Sequence, residues 1–269
     1  LAGADADDWI KARDAALLTR TVHEAGRLAL SLFRTELKNW IKGASSPVSE
    51  ADIAVNELLE ERLRAATPDY GWLSEESADD KTRLGKRLTW IVDPIDGTRA
   101  YLAGREDWCV SVALVEDASP VLAAVYAPAT DESFFAARGQ GATLNDSAVH
   151  ATAGTDFDFR RMAGPKPLVQ RLSPTPDEIT LYPRIGSLAL RLCRVAQGRL
   201  DAAFAGGQSR DWDLAAANLI VQEADGKMTA LSGDAIEYNR PEVSHGVLVA
   251  AGRDRHARIV EHFRNRPLP

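Results

Sequence analysis

Apolar residues recur at helical spacing through the first stretch of the chain, at Ile10, Leu17, Leu18, Val22, Ala25, Leu28, Ala29, Leu32 and Phe33, without a proline. The pattern predicts a helix over about residues 7–38, packed by one face on a core. A second helix is predicted from Ser49 to about Ala66, with Ser49 as N-cap, Asp52 at N3 in a capping-box arrangement and Pro68 beyond its end. The period then changes. Leu88, Trp90, Ile91 and Val92 have the β-branched and aromatic bias of a buried strand, and Pro94 is expected to end its pairing. Residues 109–115, 121–126 and 133–137 read as short strands separated by polar turns, an antiparallel meander. Gly139-Gln140-Gly141 and Asn145-Asp146 mark further turns, and residues 154–177 are rich in Pro, Gly and Asp with weak periodicity. A soft boundary near 150 divides an N-terminal half, 1–150, from a C-terminal half, 151–269. In the second half, 188–196 and 213–223 read as helices and 247–251 as a closing buried strand.

Composition narrows the class. A chain of 269 residues, 45% hydrophobic and 26% charged, can bury a large core. A net charge of −7 and a pI near 5.3 argue against a general binder of nucleic-acid polymers or membranes. No apolar run approaches the roughly twenty residues of a membrane span, and no signal segment opens the chain. Leu1 is not an initiator methionine, so native residues can precede it. Cys109 and Cys193 lie in apolar contexts without paired spacing, which predicts two buried, reduced thiols and a cytoplasmic location.

The candidate chemistry is acidic. Trp90-Ile91-Val92-Asp93-Pro94-Ile95-Asp96-Gly97-Thr98 delivers two carboxylates, three residues apart, from a buried strand into a Gly-Thr turn. Carboxylates that close repel one another when ionised, and a hard divalent cation holds them together. Gly97 lets backbone approach an anion, and Thr98 offers a hydroxyl and an N–H at a helix start. Glu75-Glu76 upstream and Asp211-Trp212-Asp213 downstream add two more acidic stations that can converge on the same point. The haloacid-dehalogenase type of phosphatase is the rival with similar letters, but Pro94 occupies the position of its aspartate nucleophile. Metal-activated water is therefore preferred to an aspartyl-phosphate intermediate.

In this order, Ser49-Glu50-Ala51-Asp52, Glu75-Glu76-Ser77, Asp93-Pro94-Ile95-Asp96-Gly97-Thr98, Trp212-Asp213 and Glu223-Ala224-Asp225-Gly226 resemble the inositol monophosphatase superfamily, closest to the CysQ-type 3'(2'),5'-bisphosphate nucleotidases. The resemblance implies an α/β fold, the layered αβαβα sandwich shared with fructose-1,6-bisphosphatase. It implies a lithium-sensitive phosphomonoesterase with two or three Mg2+ ions. Glu75, Asp93 and the Ile95 carbonyl would hold one ion, and Asp93, Asp96 and Asp213 a second. Thr98, with Glu75 and Asp52, would position the attacking water, the Gly97 and Thr98 N–H groups would grasp the phosphate, and Asp213 would also face the substrate. The partner is then a small anionic phosphate ester, with a homodimer left open. Animal-type inositol monophosphatases place a glutamate before Trp-Asp for a ring hydroxyl. Here those positions are Ala205 or Gly206, so adenosine 3',5'-bisphosphate is expected ahead of inositol 1-phosphate. Arg99, Arg184 and Arg210 are candidates for a second phosphate. Asp211 is either a supporting acid or a group that disfavours a nearby anion. Glu76 is expected beside the ligands rather than among them, and no histidine is assigned a role. The reading from another class is a catalytically silent regulatory protein on this fold, which the complete acid set disfavours.

Overall fold

The computed structural model describes residues 2–42 and 46–266, without the side chains of residues 2–11 and 46, so Leu1 and the side chain of Ile10 lie outside what is described. Seven strands form one sheet in the order Gly71–Ser74, Leu88–Asp96, Cys109–Glu116, Ser119–Ala127, Glu132–Ala137, Ala142–Leu144, Ser147–Ala148. Its first pair is parallel and the rest antiparallel, so the expected meander is present. A second sheet runs Met162–Ala163, Ala202–Ala205, Leu248–Gly252, Gly226–Ala230.

Side-chain alternation along Leu88–Asp96 sorts the layers. Trp90 and Val92 pack with Leu18, Val22, Val55 and Leu59 of the helices Ala2–Leu32 and Glu50–Ala66. Ile91, on the other face, packs with Leu190, Leu214 and Ile220 of the helices Leu188–Ala196 and Asp211–Glu223. Ala203 and Ala250 of the second sheet close that core, and Ile259, Val260 and Phe263 of helix Arg253–Arg264 cover the second sheet's outer face. The result is helix, sheet, helix, sheet, helix, the layered αβαβα sandwich.

Two expectations need correction. The first helix ends at Leu32 rather than near Lys38, because Arg34 turns into the left-handed region at φ 62° and the Phe33 and Thr35 N–H groups bond back to Leu30 and Leu32. Pro94 does not end its strand. Asp93 pairs with Ser111 and Asp96 with Cys109, so Pro94 and Ile95 together oppose one residue and the missing N–H falls inside a bulge. Both cysteines are buried and unpaired. No helix among the described residues is long and apolar enough to cross a membrane.

Candidate active site

The bulge is what brings the acids together. Regular alternation would turn Asp93 with Ile91 and Asp96 with Val92, to opposite faces. One extra residue reverses the parity: Ile95 packs with Trp90 and Val92, and Asp96 comes out beside Asp93. On that face lies helix Asp211–Glu223, whose first turn presents Asp213. One carboxylate oxygen from each of Asp93, Asp96 and Asp213 lies within 4.8 Å of the others.

Two of the three acids are held by hydrogen bonds. Asp96 Oδ2 accepts the Ser187 hydroxyl and the Ala189 N–H, and Asp213 Oδ2 accepts the Arg210 N–H at 2.7 Å. Asp93 is 1% exposed, and its buried Oδ1 has no hydrogen-bond partner. Burial, and then the charge of Glu75, Asp96 and Asp213, pushes the Asp93 carboxyl well above its ordinary range. Burial and Asp96 do the same to Asp213, against the Arg210 N–H. An unpartnered buried oxygen among repelling carboxylates is unfavourable for the protein alone. An oxygen-ligated cation such as Mg2+ fits the donor set.

Glu75 lines the same cavity of about 500 Å³, with Lys42 beside it. Burial raises its carboxyl to about 7 against the pull of Lys42, with Glu76, Asp96 and Asp52 adding to the rise. Lys42 Nζ stands 3.9 Å from the Glu75 carboxylate, donates to its backbone carbonyl at 2.7 Å and pairs with Glu76 at 2.9 Å. Glu76 is thus engaged by Lys42, outside the cavity lining.

Ile95, Gly97 and Thr98 also line the cavity. Gly97 has φ 99°, and a Cβ there would stand 3.1 Å from the Ser187 N and 3.2 Å from the Asp107 carbonyl, so glycine is required twice over. The Thr98 Oγ1 lies 3.0 Å from Asp52 Oδ1 and 3.1 Å from the Ile95 carbonyl. Asp52 Oδ2 accepts both the Ser49 N–H at 2.8 Å and the Ser49 hydroxyl at 2.6 Å. The capping box is present, therefore, and the same acid reaches the cavity through Thr98.

Of the candidate arginines, Arg99 and Arg184 line the cavity, joined by Arg105; Arg210 turns instead to Glu242 at 3.4 Å. Asp211 is buried, accepting the Asn239 N–H at 2.8 Å and lying 2.6 Å from His245 Nε2, so it braces the helix start. Glu223 accepts the Gly139 and Gly141 N–H groups, and Gly226 passes so close to Val221 that a Cβ would meet its carbonyl at 2.8 Å. That segment is a structural turn. The sequence reading passed over Ser187, Lys42 and Arg105. Gly186-Ser187 ahead of the apolar periodic stretch 188–196 is an N-cap signal that would have located Ser187, whose Oγ accepts the Leu190 N–H at 2.9 Å. Nothing in the local sequence marks the other two.

The profile of the inositol monophosphatase family matches residues 12–268. An inositol-1-monophosphatase of Rhizobium meliloti is 34% identical over 268 residues, covering 94% of this chain and 96% of its own. A histidinol-phosphatase of Mycobacterium tuberculosis is 36% identical over 200 residues, covering 70% and 75%. The crystal structure of extragenic suppressor protein suhB from Bartonella henselae matches with a TM-score of 0.78 at 27% identity, over 94% of this chain and 98% of that one. Since the family match runs through both sheets and every acid of the cluster, this chain belongs to the inositol monophosphatase family.

Proposed function

We propose that this protein is a Mg2+-dependent phosphomonoesterase that uses water as nucleophile and prefers phosphate esters bearing a second anionic group, with adenosine 3',5'-bisphosphate as the representative substrate. The observation that carries the chemistry is the cluster of Asp93, Asp96 and Asp213 with the unpartnered Asp93 Oδ1. Bound there, Mg2+ supplies Lewis acidity toward phosphoryl oxygens and a lowered pKa for its water. Asp93 and Asp96, with Asp213 and the Ile95 carbonyl, would hold it, and Glu75 would complete the set on the Lys42 side. The Thr98 hydroxyl, donating to Asp52, positions a water by accepting its hydrogen bond, while the Gly97-Thr98 backbone receives the phosphate at the helix start.

Arg99, Arg105 and Arg184 on the cavity wall support a second anionic group. Ala205 is buried in its strand, and Gly206 has only Pro165 within reach of a Cβ, so neither supplies a carboxylate to a polyol hydroxyl. The second reading, inositol 1-phosphate or histidinol phosphate, is favoured by the names of the relatives.

Kinetics with adenosine 3',5'-bisphosphate, inositol 1-phosphate and histidinol phosphate at saturating Mg2+ separate the two. Loss of a charge-assisted contact of about 1.5–3 kcal/mol predicts a preference of roughly ten- to a hundredfold in kcat/KM for the bisphosphate. Inositol 1-phosphate preferred by tenfold would overturn the substrate reading. Turnover undiminished in excess EDTA would overturn the metal chemistry. Millimolar-scale lithium inhibition is expected alongside.

A further inference from the structure

A cavity of about 840 Å³, larger than the one at the acids, opens where the last turns of helix Asp211–Glu223 meet strand Gly226–Ala230 and helix Arg253–Arg264. Its floor is apolar: Met228 and Val260, at 2% and 6% exposure, with Pro120 and Ile236 beside them. Its rim is cationic: Arg138, Lys227, Arg253 and Arg264, against the single acid Glu261. Lys227 and Arg264 make no ion pair among the described residues. The acids near the other two stand back, Glu116 at 3.9 Å from Arg138 and Asp225 at 3.7 Å from Arg253, in pairs that solvent weakens. His256, buried at the base and 2.9 Å from Thr229 Oγ1, is pushed down to about 4 by burial and by Lys227, and so brings no further charge near neutrality.

In a chain of net charge −7 this cleft is a local reversal of sign over an apolar floor. We propose that it is a binding site for a small organic anion, one apolar ring system bearing a sulfonate, carboxylate or phosphate. The floor offers nothing to a bare inorganic ion, the rim offers little to a neutral apolar molecule, and the acidic surface as a whole repels an extended polyanion. The site is separate from the acid cluster. It shares no lining residue with the cavity at the acids, and Asn218 and Gln222 on its wall lie about 7.5 and 14 Å along the helix from Asp213, at 1.5 Å per residue. The inference therefore holds whether or not the phosphatase reading does.

The test uses the folded, Mg2+-supplemented protein with 8-anilinonaphthalene-1-sulfonate, an aromatic sulfonate that is not a phosphate ester. Fluorescence titration is expected to show saturable binding of one probe per chain. The exposed double charge reversal Lys227→Glu/Arg264→Glu should weaken it at least tenfold, and Ala257→Trp, which fills the cleft without changing charge, should do the same. Near-UV circular dichroism on each variant verifies the fold. Ile41→Ser, in the exposed apolar pair Trp40 and Ile41, serves as the control and should leave binding intact. Absence of saturable binding, wild-type affinity in both folded cleft variants, or loss confined to Ile41→Ser overturns the proposal.

Discussion

At Asp93, burial and the charges of Glu75, Asp96 and Asp213 all act against the carboxylate, and no protein group compensates Oδ1. Asparagine keeps the shape and removes the charge. Metal-free Asp93→Asn should therefore melt at or above the wild-type temperature in EDTA, while Mg2+ no longer raises its Tm and turnover collapses. The loss in kcat/KM should exceed that of Asp52→Asn, which acts through Thr98 and belongs in the roughly 10–100-fold range of a supporting group. Equal, small losses would refute the assignment. The acids themselves were readable because their chemistry is local: two carboxylates and a Gly-Thr turn within six positions. Ser187 and Lys42 act on Asp96 and Glu75 across 91 and 33 residues of chain, and no local pattern encodes such a partner.

At the scale of elements, helices and strands followed hydrophobic period closely, and errors fell where a backbone turn decided the outcome. The first helix stops at a left-handed arginine, with no glycine or proline to announce it. A proline in a strand declares an interruption, but whether the chain leaves the sheet or skips one partner depends on the register of Cys109–Glu116, which is set elsewhere. The helix that follows is a consequence of Gly97. Gly97→Ala places a Cβ in the left-handed region and against the Ser187 and Asp107 backbone, at a cost of about 1–2 kcal/mol for conformation alone. Chemical denaturation should register that loss. Because Ser187 holds Asp96, kcat should fall as well, and a variant with wild-type kcat would separate the turn from the site.

Across the whole molecule, interior groups set the response to pH. The His256 imidazole has its ordinary value of 6.5 when unfolded and is pushed down to about 4 when folded. Between those values the unfolded chain binds a proton that the folded chain refuses, so this residue's stabilisation is complete above pH 6.5 and is lost as pH falls toward 4. Urea midpoints at pH 7 and pH 5 should fall less for His256→Gln than for wild type; identical slopes would mean His256 is protonated in place. The buried thiols carry a different consequence. Cys109 and Cys193 are fully buried, burial pushes both thiols up, and the Cys109 sulfur lies 3.2 Å from the Ser187 hydroxyl that holds Asp96. Neither can react with an aromatic disulfide reagent until the layers part, so labelling becomes a clock for opening of the sandwich. A cation seated on the acids must slow that clock at Cys109, and the labelling rate then reports occupancy of the site without any substrate.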